Sequence, residues 1–147
     1  MTRRASTHLS VLLALAAPFV ASPAFAAGAG DTYRAALSGS SEVPATQSKG
    51  TGEVTATFDP ATKRLSWTGT YNGLTGPVTA AHVHGPAKAG ENAGVLVPVT
   101  ATSSPFTGEA TLDDAKAADL EGGRLYFNLH TAANPKGEIR GQLEPAR

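Results

Sequence analysis

Three histidines are the residues of this chain best suited to chemistry. His82 and His84 stand two apart in Thr79-Ala80-Ala81-His82-Val83-His84, and His130 closes Leu125-Tyr126-Phe127-Asn128-Leu129-His130. Residues i and i+2 of a strand share one face about 7 Å apart. His82 and His84 therefore lie together opposite Ala81 and Val83, and His130 lies with Asn128 and Tyr126 opposite Leu125, Phe127 and Leu129. With Val83 and Phe127 packed inward, all three imidazoles turn to an outer sheet face, where neighbouring strands would gather three nitrogen donors. Imidazole is a borderline ligand that suits copper and zinc, and the expected cofactor is a copper ion, with zinc as the alternative. Thioether and thiolate donors are excluded, because the single methionine is Met1 and the chain has no cysteine. Water or a carboxylate, Glu138 or Glu42, would complete the shell. The same residues have a purely structural reading: a His-x-His strand end before Gly85-Pro86 can hydrogen-bond the adjoining turns, and His130-Thr131 can cap its own loop.

The elements that must position these side chains are short strands. Val54, Ala56 and Phe58 alternate with Glu53, Thr55 and Thr57, and after Asp59-Pro60-Ala61-Thr62 the alternation resumes with Leu65, Trp67, Gly69 and Tyr71. Period two on both sides of an Asp-Pro turn is a hairpin. Thr32 to Leu37, Thr79 to His84, Val95 to Val99, Phe106 to Leu112, Leu125 to His130 and Ile139 to Leu143 read as further strands, with Pro98 marking an edge or a bulge. Asp113 to Leu120 is the one helical segment, opened by a Thr111/Asp114 capping pattern and closed by Gly122-Gly123. About seven or eight antiparallel strands with one short connecting helix specify an all-β fold, a β-sandwich or a Greek-key barrel. His84 and His130 each end a strand and each is followed by a small-residue loop and a Gly-Glu-x-x-Gly segment, Gly90 to Gly94 and Gly137 to Gly141, which suggests that similar turns meet both imidazoles.

The beginning of the chain has a different logic. Met1 to His8 is basic and free of acids, Leu9 to Ala21 is almost wholly apolar, and Ala24-Phe25-Ala26 follows Ser22-Pro23. That order of charge, apolar run and small-x-small site is a cleavable signal peptide over residues 1–26. The apolar run falls short of the ~20 residues that span a bilayer. Residues 27–31 read as a flexible tail, 32–143 as the β domain and 144–147 as a C-terminal tail, so the expected location is the periplasm or the cell exterior, with no membrane attachment after cleavage. Removing residues 1–26 takes away Arg3, Arg4 and His8 and no acid, leaving ten basic against 12 acidic residues, a net charge of −2 with His neutral. A nucleic-acid partner is disfavoured, since phosphate binding needs clustered Lys and Arg. Without cysteine the domain must hold together by packing and sheet hydrogen bonds.

Ala81-His82-Val83-His84-Gly85-Pro86-Ala87 and Asn128-Leu129-His130-Thr131 through Pro135-Lys136-Gly137-Glu138-Ile139-Arg140-Gly141-Gln142-Leu143 resemble the two signature stretches of the CHRD (chordin-type) family. Leu37-Ser38-Gly39, Glu42-Val43-Pro44, Leu65, Trp67 and Tyr71 fit the opening strands of the same family, so the resemblance covers nearly the whole mature chain. It implies a single exported domain and no established catalytic activity. The His-x-His strand also looks like half of the copper site of copper/zinc superoxide dismutases, but the bridging histidine, the zinc ligands and the cysteine pair of that family have no counterpart here.

Other functions find less in the sequence. Ser38-Gly39-Ser40-Ser41 lacks a nucleophile elbow, no glycine-rich phosphate loop opens a helix, and no catalytic constellation is recognised, so an enzyme is not expected. Two readings remain: a metal-binding module built on His82, His84 and His130, and a non-metal module that binds another exported protein through exposed loops such as Gly85 to Gly94. Glu138 and Arg140 read as a surface ion pair or a loop clamp, and the oligomeric state is left open. The signal reading carries its own test: exported protein should have lost Leu9 to Ala21 and stay in solution without detergent, and an intact mass that retains this segment contradicts it.

Overall fold

The computed structural model describes residues 30–146; the expected signal peptide and nearly all of the expected N-terminal tail lie outside them. Its strands are β1 (Asp31–Ser38), β2 (Thr51–Asp59), β3 (Arg64–Asn72), β4 (Val78–His84), β5 (Val95–Val99), β6 (Phe106–Thr111), β7 (Tyr126–Thr131), β8 (Ile139–Gln142) and β9 (Glu144–Pro145), with helix α1 (Asp114–Glu121) between β6 and β7. They form one antiparallel sheet in the order β5-β4-β7-β8-β1-β2-β3-β6, with β9 on β1. This sheet curls into a nearly closed barrel, so of the two architectures expected the barrel is the one formed.

The hairpin of β2 and β3 is in register from Thr51↔Asn72 to Asp59↔Arg64. Its turn is set by Asp59, whose Oδ1 accepts from the Ala61 N–H at 2.9 Å and whose Oδ2 accepts from the Thr62 hydroxyl at 2.8 Å. A short acidic side chain that hydrogen-bonds its own backbone two residues on is what an Asx turn requires. Alternation then sends Val54, Ala56, Phe58, Leu65 and Trp67 into the barrel, all buried. Trp67 meets Phe127 edge to face with ring centroids 5.6 Å apart. Its cross-strand neighbour is Gly108, where a Cβ would stand 2.6 Å from the indole ring, so only glycine admits the tryptophan there. The indole N–H has no hydrogen-bond partner, a cost that burial of the large ring outweighs.

Two expectations at the rims need correction. The cap of α1 is Asp113, whose side chain accepts from the Lys116 N–H at 2.8 Å, and not the Thr111/Asp114 pattern; the helix sits one residue later than expected and buries Ala117 and Leu120. Residues 144–145, expected in a tail, pair with Tyr33 and Arg34 as β9, because β1 outruns β8 and leaves backbone groups that the end of the chain satisfies. Pro98 does lie in an edge strand, β5, and the β4–β5 register shifts between Val83 and His84.

The largest departure concerns β7. All six of its residues are buried, so the strand has no open face: Phe127 and Leu129 fill the barrel, and Tyr126, Asn128 and His130 on the other side are also covered. Alternation alone had turned that second side to solvent. The cover is the loop after β4, anchored where Ala87 N–H donates to Arg124 O at 2.9 Å and where the Gln142 amide donates to Ala87 O at 2.7 Å and to Gly123 O at 2.9 Å.

The inward phase of the strands is open to a direct test. Trp67→Ala or Phe127→Ala should each cost about 3–5 kcal/mol, since each empties a large volume that closely packed strands cannot refill. Denaturant unfolding measures it, and midpoints equal to wild type would show that the two rings do not share the core.

Candidate metal centre

Strands β4 and β7 are hydrogen-bonded neighbours, and their register sets His82 opposite Asn128, His84 opposite Tyr126 and Ala80 opposite His130. The three histidines therefore occupy one patch of two adjacent strands, with His130 diagonal to His82 and leaning over the small Ala80. Diagonal cross-strand neighbours are within reach of long side chains, and here the reach is complete: His82 Nδ1 lies 3.1 Å from His130 Nε2, and one ligand atom from each ring falls within 4.8 Å of the others. A trans pair of 2.0 Å bonds spans about 4 Å, so side-chain adjustment alone would close a metal into this group. The histidines are not surface groups as expected. His84 and His130 are each 8% exposed, and only His82 is half-open to solvent.

The protons of two rings are fixed by what they face. His84 Nδ1 lies 3.0 Å from Ala93 O, and His130 Nδ1 lies 3.0 Å from Pro135 O. A carbonyl can only accept, so each Nδ1 carries the hydrogen and each Nε2 of the neutral ring presents a lone pair. Backbone carbonyls behind metal-binding imidazoles play this part generally, fixing tautomer and ring orientation. The parallel in the sequence between the segments after His84 and His130 has this physical content: each loop folds back and offers a carbonyl to the histidine that precedes it. Burial, and then the neighbouring charges of His130 and His84, push the His82 pKa below 6.5. Burial also pushes His84 below 6.5, against the hydrogen bonds to Ala93 and Asn128. Neutral imidazole, the ligating form, is thereby favoured.

Three supporting side chains did not stand out in the sequence as part of a site. Asn128 Oδ1 lies 3.1 Å from His84 Nε2 and 3.0 Å from His130 Nε2. Tyr126 stacks on His84, with ring planes 5° apart and centroids at 4.9 Å. The Arg140 guanidinium lies 3.5 Å over the Tyr126 ring and donates to Lys88 O and Asn92 Oδ1. The only signal for Asn128 and Tyr126 was their shared parity with His130; Arg140 looked like a surface residue. It is 1% exposed, and of its two expected roles it performs the loop clamp, since no ion pair joins it to Glu138 among the described residues.

Glu138, expected as a fourth ligand, is not brought to the histidines. It is fully buried, and its carboxylate accepts from Ser48 Oγ at 2.6 Å, Thr75 N at 2.8 Å, Thr75 Oγ1 at 2.6 Å and Thr131 Oγ1 at 2.5 Å. Burial pushes its pKa up, but the hydrogen bonds from Ser48, Thr131 and Thr75 outweigh burial and hold it at about 2. Its lone pairs are committed to tying three loops together. Glu42 is the less expected carboxyl. It is 7% exposed and its Oε1 has no hydrogen-bond partner; burial raises its pKa to about 7 against the opposing effects of Arg140, the Val43 N–H and the Asn128 amide. The Asn128 amide stands close enough to favour the charged form without making a hydrogen bond of ordinary geometry.

A protein-family model described as the CHRD domain matches residues 33–143 of the chain. No curated protein and no solved structure matches it.

Glu42 generates a pH-dependent stability. Its folded pKa of about 7 stands above the ordinary 4.5, so the favourable neutral form contributes fully below about pH 4.5 and is lost as pH rises through 7. Glu42→Gln is neutral throughout. At pH 8 the variant should exceed wild type by about 3 kcal/mol, and at pH 4 the two should differ by less than about 1 kcal/mol. Denaturant titrations at both pH values measure the gap, and an equal gap at both would show that Glu42 ionises freely in the folded protein.

Proposed function

The chain belongs to the CHRD family, and on that premise we propose that it is an exported metal-binding module, with copper the preferred ion and zinc the alternative, held by His82, His84 and His130. One observation carries the reading: imidazoles from two neighbouring strands converge, and backbone carbonyls hold two of them with Nε2 lone pairs aimed into the same space. Metal-binding imidazoles generally have that tautomer control. The partners of the imidazoles are each other, Asn128 and two carbonyls, an arrangement that holds a cation and offers no nucleophile. We therefore read the module as a binder of metal and not as an enzyme, working in the periplasm or outside the cell, where the N-terminal signal would send it.

A second reading, capture of another exported protein, has its own observation. A cleft of about 420 Å³ opens beside the clamped loop, lined by Ser40, Ser41, Glu42, Gly90, Arg140 and Gln142 among others. A partner bound there would be indifferent to the histidines.

Calorimetry separates the two. Purified mature protein should take up about one Cu(II) per chain at pH 7, and uptake should weaken as pH falls below about 6.5, because protons compete for the ligand nitrogens. His82→Ala, His84→Ala or His130→Ala should each weaken it markedly, whereas Glu91→Ala, on the exposed loop tip, should not. Copper at 100-fold over its Kd should stabilise the fold by about 2.7 kcal/mol. Absence of saturable uptake, or uptake that survives loss of all three histidines, overturns the metal reading.

A further inference from the structure

We infer that Asn128 Oδ1 is a fourth donor of the three-histidine centre, which makes it a mixed nitrogen and oxygen set suited to Cu(II). This rests on the metal reading above and goes beyond it, since it assigns a further ligand.

The argument begins with a mismatch. The Nε2 atoms of His84 and His130 are both lone-pair acceptors, because their Nδ1 hydrogens go to carbonyls. The group they both face at 3.0–3.1 Å is Asn128 Oδ1, also an acceptor. His82 Nδ1 can donate to His130 Nε2, but no hydrogen is left between His84 Nε2 and Asn128 Oδ1, two buried acceptors 3.1 Å apart that repel one another unless a positive charge stands between them. The amide places its oxygen, not its N–H side, toward the two imidazoles.

The distances also have an order. Going round the group, His82 Nδ1 to His130 Nε2 is 3.1 Å, His130 Nε2 to Asn128 Oδ1 is 3.0 Å, and Asn128 Oδ1 to His84 Nε2 is 3.1 Å. Ligands about 2.0–2.1 Å from one metal and 90° apart are separated by about 2.8–3.0 Å, whereas tetrahedral ligands at the same bond length are separated by about 3.3 Å. The three successive edges of 3.0–3.1 Å lie between the two values, close enough together for one cation to take all four atoms. A given nitrogen and oxygen donor set binds Cu(II) more tightly than Zn(II). The neutral amide oxygen is a harder donor than imidazole, so it favours Cu(II) over Cu(I) as well.

The test uses purified mature protein, wild type, Asn128→Ala and Asn128→Asp, titrated separately with Cu(II) and Zn(II), with EPR spectra of the Cu(II) forms. Wild type should prefer Cu(II) to Zn(II). Asn128→Ala should weaken Cu(II) by no less than the ~10–100-fold that loss of an outer partner costs, with altered parallel g and hyperfine values. Asn128→Asp, of the same size and with an anionic oxygen, should bind Cu(II) at least as tightly as wild type, and it carries the test if the alanine variant fails to fold. Wild-type spectra and affinities in both variants, with His-dependent binding intact, overturn the fourth ligand and leave the three-histidine reading standing. No His-dependent binding in wild type overturns both.

Discussion

A strand buried on both faces can carry polar side chains only if every one of them finds a partner. β7 is that strand, and its outer row of Tyr126, Asn128 and His130 is as covered as the Phe127 and Leu129 that fill the barrel. Each unpaired polar group in such a place costs about 1–3 kcal/mol, a large share of the 5–15 kcal/mol by which a domain is stable. The rest of the molecule answers this demand. Ala93 and Pro135 lend carbonyls to the imidazoles, Arg140 stacks on Tyr126, and Gln142 holds down the loop that supplies the cover.

The loops are fixed by charge as well as by shape. Glu138, with four donors from Ser48, Thr75 and Thr131, keeps its negative charge at a fully buried site and joins segments far apart in the chain. Asn134 N–H donates to Thr131 O within the loop whose Pro135 carbonyl meets His130. The glutamate is thus linked to the histidine cluster through the backbone of that loop, and its own oxygens do not reach the imidazoles. Glu42 is its opposite in kind: one oxygen is unpartnered, and a Cβ on Gly137 would stand 2.4 Å from it, so glycine at 137, with φ of 131°, is what admits the carboxyl. Two buried glutamates thereby receive opposite pKa shifts, and the difference lies in the number of hydrogen-bond donors each is given.

The arrangement explains how a chain without cysteine or a large aromatic core can hold three imidazoles together. Register, which a one-residue slip would turn inside out, is pinned by the barrel residues Ala81, Val83, Phe127 and Leu129 on the inner face, and the same register aligns the histidines on the outer face. Packing on one side of the sheet specifies chemistry on the other.

Much of this was legible in the residues themselves. Period-two alternation and the Asp59 turn determined the all-β class and most strand positions, because side-chain parity along a strand is a local property; the same parity put His82, His84 and His130 on the outer side, and local motifs were enough to suggest the family. What parity cannot contain is which strands become neighbours and what lies over the face they present. That β4 pairs with β7 in a register that sets His82 diagonal to His130, that the loop after β4 folds back and buries Asn128 and Arg140, and that Glu138 turns to three hydroxyl groups instead of the imidazoles were decided by contacts between residues 40 to 90 positions apart. Such contacts form only when the barrel closes, because the entropy of bringing distant segments together is repaid by the packing of the whole sheet and not by any segment alone.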